Sequence, residues 1–149
     1  MISTNKKKEN ESIYVLHTYP FKETSLIAEL FSKNYGRISV IAKGARRPRS
    51  SLRGMLQSFQ LLQATWSGKK EIKTLHSIEW CDKFLSFKGG SLLCGFYINE
   101  LLIRLLPRED THQKLFEFYD QTMKTLEKDI NLDTALRRFE LNLLQELGY

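Results

Sequence analysis

The stretch SLIAELFSKNYGRISVIAKG, residues 25–44, decides the fold. It contains two short runs of apolar and β-branched residues, 25–32 and 37–44, and the residues between them, KNYG, are typical of a turn. Gly36 can take the left-handed backbone conformation that a tight hairpin requires. The stretch therefore predicts a β-hairpin.

Three similar runs flank this hairpin. SIYVLHTY, residues 12–19, ends at Pro20, while FQLLQATWS, residues 59–67, and EIKTLHSIEW, residues 71–80, are separated by a short turn, GKK. Five strands over about 70 residues match the size of an OB-fold, a small barrel that binds oligonucleotides. A five-stranded SH3-like barrel fits the same periodicity. Either barrel closes its sheet edges.

The periodicity becomes helical after about residue 84. GGSLLCGFYINELLIRLLPRED predicts a helix that is capped by Ser91 and ends at Pro107. Its apolar residues cover most of its circumference, so we expect it to be buried. THQKLFEFYDQTMKTLEKD and TALRRFELNLLQELGY predict two more helices. The last apolar stripe runs to Tyr149, which suggests further helical structure beyond it.

These signals predict an α+β chain, a five-stranded OB-fold β-barrel followed by an all-α helical domain. Residues 1–11 are predicted to be a disordered basic tail, 12–82 the nucleic-acid-binding barrel, and 83–149 a helical domain that is incomplete at its C-terminus. The junction near residues 82–90 is short, so the two domains should pack on each other.

The composition indicates a folded protein of the cytoplasm. The 149 residues are 42% hydrophobic, which excludes general disorder, and no run of 18 apolar residues or signal peptide is present. The spacing of Cys81 and Cys94 fits neither a metal knuckle nor a disulfide framework. We expect two reduced thiols packed in a core.

The sequence offers no catalytic arrangement. No GxSxG motif is present, and the glycines of FKGGS lack the spacing of a phosphate-binding loop. His17, His76 and His112 are isolated, so each is expected to be a surface or hydrogen-bonded histidine rather than a metal ligand or a base. We therefore predict a protein that is not an enzyme.

The positive charge of the chain is concentrated in one segment. No Asp or Glu lies between Glu29 and Glu71, whereas nine Lys and Arg do, which leaves 14 bases and 17 acids in the rest of the chain. Five of the nine lie in AKGARRPRSSLRG, residues 42–54: Lys43, Arg46, Arg47, Arg49 and Arg53. Like charges this close repel one another, so they predict a polyanion site. The alternative is a solvated surface run.

Three aromatic residues lie near the ends of the neighbouring strands. On an OB-fold surface, Tyr35, Phe59 and Trp66 can stack nucleic-acid bases. The alternative is that each of them fills the barrel.

Taken in order, these residues resemble the RecO family of bacterial recombination mediators. The resemblance rests on GRISVIAKGAR, on LQSF and on NELLIRLLPRED, and it extends from YVLHTYPF to ALRRFELNLLQELGY. It implies an N-terminal OB-fold and a helical domain. Family members usually continue further, often with a four-cysteine zinc site, so the resemblance implies a truncated chain with no cofactor of its own and zinc only in the missing C-terminal region.

The resemblance also implies a function. RecO-like proteins bind single- and double-stranded DNA, anneal complementary strands, contact the acidic tail of single-stranded-DNA-binding protein, and act with RecR to load RecA. Carried over residue by residue, the resemblance implies that six basic residues contact phosphates: Arg37, Lys43, Arg46, Arg47, Arg49 and Arg53. Candidates for the tail contact are Arg104, Arg108, Arg137 and Arg138. A protein-interaction adaptor and an RNA-binding OB module are the alternative functions.

Overall fold

A computed structural model of the chain describes residues 7–81 and 83–149. The strands are β1 (Lys8–Phe21), β2 (Ser25–Ser32), β3 (Gly36–Ala42), β4 (Leu62–Ser67) and β5 (Ile72–Trp80). The helices are α1 (Gly90–Leu105), α2 (Gln113–Glu127) and α3 (Leu132–Glu146). The predicted order of a β-barrel followed by three helices is confirmed.

The strands form a closed barrel in the order β1-β2-β3-β5-β4. β1 pairs with both β2 and β4, and β3 pairs with β5 in a parallel ladder, while the other pairs are antiparallel. This is the Greek-key arrangement of an OB-fold, and it excludes the SH3-like alternative. The OB-fold prediction is confirmed.

The first strand is longer than predicted. β1 begins at Lys8 rather than at Ser12, because Lys8 pairs with Trp66 and Glu11 pairs with Ala64 of β4. Residues 8–11 therefore belong to the barrel, and their prediction as a disordered tail was wrong. The rest of the predicted tail, apart from residue 7, lies outside the described residues.

Two apolar clusters hold the structure together. The first fills the barrel with side chains from all five strands, including Val15, Leu30, Val40, Trp66 and Leu75. The second lies between the outside of the barrel and the helices. It joins side chains of the first two strands to side chains of the three helices: Tyr14, Leu16, Phe31, Ile98, Leu102, Tyr119 and Phe139. The shared second cluster confirms that barrel and bundle pack together.

A buried amide links the two domains. Asn99 of α1 donates from Nδ2 to the carbonyl oxygen of Leu16 at 3.2 Å, and its Oδ1 accepts from the Tyr119 hydroxyl at 2.5 Å. Asn99 and Tyr119 are almost completely buried. Because a buried polar group is costly without a partner, these bonds fix α1 and α2 against β1.

The turn between β2 and β3 docks on the segment between α1 and α2. The amide of Glu109 donates to the carbonyl oxygen of Arg37 at 2.8 Å, and the Thr111 hydroxyl donates to the carbonyl oxygen of Asn34 at 2.9 Å. Gly36, with φ of 74°, lies against the backbone of Asp110. The tip of the hairpin and the helical domain are thus in backbone contact.

Three expectations for the region after the barrel were wrong. α1 is not buried all round, since Leu93 is 72% exposed and Phe96 is more than half exposed. Its N-cap is Gly89, while the Ser91 hydroxyl donates to the carbonyl oxygen of Lys88 at 2.9 Å. Cys81 is exposed rather than packed in a core, and it forms no disulfide with Cys94.

Two buried tyrosines make the free energy of unfolding depend on pH in the alkaline range. Burial, together with a hydrogen bond to Asp120, raises the pKa of Tyr14, and burial raises the pKa of Tyr119. The unfolded chain ionises these phenols near pH 10 while the folded chain retains both protons, so the free energy of unfolding falls as pH rises through 10. We expect a loss of about 1 kcal/mol per tyrosine between pH 10 and 11.

The variant Tyr14→Phe should remove its share of this loss. Urea unfolding at pH 8, 10 and 11 should show a pH dependence smaller than that of the wild type by about 1 kcal/mol. Tyr149→Phe is the control, because that ring is 86% exposed. An equal pH dependence in the wild type and Tyr14→Phe would show that Tyr14 does not stay protonated in the folded state.

Candidate nucleic-acid interface

The basic loop, residues 43–61 between β3 and β4, folds as a series of tight turns. Backbone bonds connect Arg47 to Gly44, Ser50 to Arg47, and Met55 to Leu52, at 3.0 to 3.1 Å. The amide of Arg46 donates to the carbonyl oxygen of Thr24 in the β1–β2 turn at 2.8 Å. The loop therefore has a defined backbone and starts beside the β1–β2 turn.

Apolar side chains anchor this loop to the barrel. Ala45 and Leu56 are buried in the barrel core, and Leu52 and Met55 pack against it. Burial of such side chains contributes about 1.5 to 3 kcal/mol for each large one. The charged residues between these anchors are held at the surface because their apolar neighbours point into the barrel.

All five loop cations are exposed: Lys43, Arg46, Arg47, Arg49 and Arg53. None of them forms an ion pair with any residue of 7–81 or 83–149. The Arg46 guanidinium donates from Nη1 to the carbonyl oxygen of Lys22 at 3.1 Å, which keeps its charge uncompensated. The basic loop is thus an exposed positive surface.

Arg37 does not belong to this surface, so its prediction as a phosphate contact is corrected. Its side chain is buried, and its Nη1 bonds Oε1 of buried Glu29 at 2.7 Å while Nε donates to the carbonyl oxygen of Leu106 at 2.9 Å. Glu29 also accepts from the Ser39 hydroxyl. A buried ion pair of this kind is a structural link, since its charge is neutralised inside the protein.

The same link includes Arg108, one of the predicted tail contacts. Arg108 pairs from Nη2 with Glu29 at 3.3 Å and from Nη1 with Glu71 at 2.8 Å. It therefore connects the segment after α1 to β2 and to Glu71, the residue immediately before β5. Its charge is compensated by two carboxylates, which argues against a role in binding an acidic partner.

Two of the three predicted stacking residues are buried, which rules out base stacking. Trp66 is 2% exposed inside the barrel core. Phe59 is 4% exposed, and it packs against Phe87 and Phe96 with ring centroids 4.8 and 5.1 Å apart. Both residues fill apolar space, as the alternative interpretation held.

The third predicted stacking residue, Tyr35, is 38% exposed. It lies in the β2–β3 turn, at the opposite end of β2 from the β1–β2 turn that contacts the basic loop. Its ring packs edge-on against Trp66 at 5.8 Å, and Lys8 Nζ lies 5.0 Å from its centroid. The structure therefore separates Tyr35 from the loop cations.

The sequence analysis missed one part of this surface. Lys22, in the β1–β2 turn, is exposed next to Arg46, and it follows three aromatic residues of β1, His17, Tyr19 and Phe21. The pattern HTYPFK, residues 17–22, shows alternating aromatic residues leading to a cation and is visible in the sequence. Its signal was hidden because the run was interpreted as an ordinary half-buried strand.

The remaining tail candidates lie on the helices. Arg104 pairs with Glu100 at 2.6 Å and Arg137 with Glu140 at 3.1 Å. Arg138 is exposed, makes no ion pair with a described residue, and lines a hollow of about 70 Å³ between α2 and α3. Of the four candidates, Arg138 has the charge most available to an acidic partner.

The described residues provide no metal site. Within 7–81 and 83–149, no three His, Cys, Asp or Glu side chains lie close enough to hold an ion. His76 contacts the Ser67 hydroxyl at 2.6 Å, and His112 lies between Asp110 and Glu146. None of the described helices combines the length and the hydropathy needed to cross a bilayer.

Comparison with known proteins covers both domains. The family model described as Recombination protein O N terminal matches residues 7–84, and the one described as Recombination protein O C terminal matches residues 87–149. The first match coincides with the barrel and the second with the helices.

Curated relatives agree with the family models. A protein of Nitrosospira multiformis is 52% identical over 143 residues, 96% of this chain and 59% of its own length. Proteins of Thiobacillus denitrificans and Dechloromonas aromatica are 47% and 49% identical, over 99% and 96% of this chain and 61% and 60% of their own lengths. All three are named DNA repair protein RecO. The chain thus spans about three fifths of the length of these relatives. With its barrel and its helices both matched, the chain belongs to the RecO family of DNA repair proteins.

Proposed function

We propose that this chain binds single- and double-stranded DNA through the basic loop and mediates recombination without catalysing a chemical step. One observation supports this most directly: five exposed cations that have no acidic partner among the described residues. An uncompensated positive loop next to the β1–β2 turn of an OB-fold favours a polynucleotide ligand.

The charge distribution favours strand annealing. Two complementary strands repel each other through their phosphates, and a cationic surface lowers this repulsion without reading the bases. The loop offers guanidinium groups, which bind phosphate oxygens well, and small residues such as Gly44 and Ser51 between them. We therefore propose binding that tolerates any sequence and weakens steeply with salt.

The helical domain is proposed to contact protein partners. The acidic tail of single-stranded-DNA-binding protein is the proposed ligand of the surface around Arg138, and RecR and RecA are the proposed partners in loading. The support is the exposed charge of Arg138 beside Leu141, which is 62% exposed and lines the same surface. Such a pair suits a peptide with both acidic and apolar residues. This activity is proposed for the cytoplasm, at the nucleoid.

Annealing of complementary oligonucleotides tests the proposal. Two labelled DNA strands that quench on pairing are mixed with and without the chain, at about 50 mM and about 500 mM salt. We expect faster annealing at the lower salt and almost none of this effect at the higher salt, because counterion release is lost.

Two other outcomes separate the alternatives. Binding of an acidic tail peptide without any binding of DNA would support the protein-interaction adaptor and contradict the proposal. Stronger binding to RNA than to DNA of the same sequence would support an RNA-binding OB module.

A further inference from the structure

An aromatic stripe lies on the outside of the barrel, at the end that carries the basic loop. A bulge between Val15 and His17 shifts the register of β1 against β2. After the bulge, Thr18 pairs with Ala28, which lies in the barrel core, so Thr18 is on the inner side. Because strand side chains alternate, His17, Tyr19 and Phe21 lie together on the outer face.

Two of the three rings of this stripe are exposed, and the third, Phe21, is half-buried. His17 is exposed and Tyr19 is 41% exposed. Their rings lie nearly parallel, with centroids 6.1 Å apart and an angle of 28° between the planes. Beside Tyr19 on the outer face lies its partner Ile27, which is only 3% exposed, and next to Ile27 lies half-buried Ile41 of β3. The exposed rings of His17 and Tyr19, with half-buried Phe21 and Ile41, form a platform of aromatic and apolar surface.

Cations surround this platform on the loop side. Lys22 follows the stripe directly, with its Nζ 5.4 Å from the centroid of the Phe21 ring. The Arg46 guanidinium binds the carbonyl oxygen of Lys22, and the Arg46 amide binds that of Thr24. Lys43 comes two residues after Ile41 and is exposed. The stripe thus leads into the same surface that the loop cations form.

We propose that the outer face of β1, centred on Tyr19, stacks the bases of single-stranded DNA while the basic loop binds its phosphates. This rests on the proposed DNA-binding function. Aromatic rings stack every base through its face and so tolerate any sequence, and adjacent cations are complementary to the strand that carries those bases. In a duplex the base faces are already stacked on one another, so only single strands use the platform.

Binding therefore has two separable parts. The loop part depends on salt and acts on single and double strands alike, because it involves only phosphates. The stacking part depends little on salt and needs accessible bases. A strand without bases, carrying the same number of phosphates, binds through the first part alone.

Fluorescence anisotropy with three labelled ligands tests the proposal: an oligothymidylate, an abasic strand of the same length, and a duplex. The proteins are the wild type, Tyr19→Ala, Tyr19→Phe and Tyr35→Ala. We expect the wild type to bind oligothymidylate about tenfold more tightly than the abasic strand, the order of one base–aromatic stack. Tyr19→Ala should lose this difference and bind the duplex like the wild type, whereas Tyr19→Phe should keep it.

Tyr35→Ala is the matched control. It removes a tyrosine of similar exposure, 38%, from the other end of the barrel, and it should bind all three ligands like the wild type. Far-UV circular dichroism checks the fold of each variant. If Tyr19→Ala is not folded, the comparison of oligothymidylate with the abasic strand in the wild type and in Tyr19→Phe still tests the proposal.

Equal binding of oligothymidylate and abasic strand by the wild type would overturn the stacking platform while leaving phosphate binding by the loop intact. A loss in Tyr35→Ala equal to that in Tyr19→Ala would overturn it too. If the wild type binds none of the three ligands, the DNA-binding function itself fails, and the platform fails with it.

Discussion

Gly36→Ala is expected to lower the free energy of unfolding by at least about 3 kcal/mol. Gly36 has φ of 74°, a conformation that costs an L-residue about 1 to 2 kcal/mol. A Cβ atom there would also lie 2.6 Å from the carbonyl carbon of Asp110, well inside van der Waals contact. Because this neighbour is backbone, no rotamer change can relieve the clash.

The clash lies where the two domains meet. Separating Gly36 from Asp110 would pull apart the bonds that Glu109 and Thr111 make with the hairpin. It would also disturb the buried pair of Arg37 with Glu29, whose cost when broken is about 3 to 5 kcal/mol. We expect the loss of stability to come with a weakened contact between barrel and helices.

Two other glycines serve as controls in urea unfolding followed by circular dichroism. Gly44 has a similar φ of 69°, but a Cβ there would make only ordinary contacts, so Gly44→Ala should cost about 1 to 2 kcal/mol. Gly54 has no strained φ and nothing within 4 Å, so Gly54→Ala should change stability by less than about 0.5 kcal/mol. Equal losses in Gly36→Ala and Gly44→Ala would show that contact with Asp110 is unimportant.

Changing Arg46, Arg47 and Arg49 together to Ala is expected to weaken binding to single-stranded DNA by roughly a hundredfold at 0.1 M salt. If five loop cations each neutralise one phosphate, log K falls with log salt at a slope of about −3 to −4. Removing three of them should make the slope shallower by about 2. Each unit of slope corresponds to a tenfold change in affinity between 1 M and 0.1 M salt. A slope shallower by about 2 therefore corresponds to the expected loss of roughly a hundredfold at 0.1 M salt.

The measurement is a salt titration of anisotropy with oligothymidylate. The control changes Arg104, Lys114 and Lys128 to Ala, which removes the same net charge from exposed positions of the helical domain. Because its loop is intact, the control should keep the slope of the wild type. An unchanged slope in the loop variant would show that these three arginines do not bind phosphates. An equal change in both variants would show that net charge rather than the basic loop governs binding.

Hydrophobic periodicity was sufficient to predict a five-stranded barrel followed by helices, but the choice between an OB-fold and an SH3-like barrel required the strand order. The two runs of residues 25–44 became β2 and β3, paired from Leu26 with Ala42 to Ser32 with Gly36. The change of period predicted three helices after residue 84. The start of β1 was missed because KENE, residues 8–11, has no apolar residue at alternate positions. Its pairing with β4 is a long-range contact that a local pattern does not contain.

The candidate site was predicted less completely, because its residues contact partners that are distant in the sequence. Arg37 counted as one cation among nine because its partner Glu29 lies eight residues away, across the hairpin. Had the hairpin register been used, the two would have fallen on the same outer face of neighbouring strands. For Trp66 and Phe59 the error concerned burial. Their exposure was inferred from their position near strand ends, but both rings are buried.

The aromatic stripe was missed because of the bulge. Without it, Leu16 and His17 would point to opposite faces, and the alternation of Tyr14 and Leu16 would place His17 inside the barrel. The extra residue moves Tyr19 and Phe21 outward. Bulges depend on pairing between strands, so a single sequence gives little warning of them. DNA binding by Lys43, Arg46, Arg47, Arg49 and Arg53 stays a prediction.

In the basic loop, different residues attach the loop to the barrel and carry its positive charge. Ala45, Leu52, Met55 and Leu56 attach it to the barrel. Its cations form no ion pair with a carboxylate of the described residues. Natural variation can therefore raise or lower the number of cations here without unfolding the barrel. The proposed affinity for a polyanion is therefore adjustable in small steps, one side chain at a time, on an unchanged scaffold.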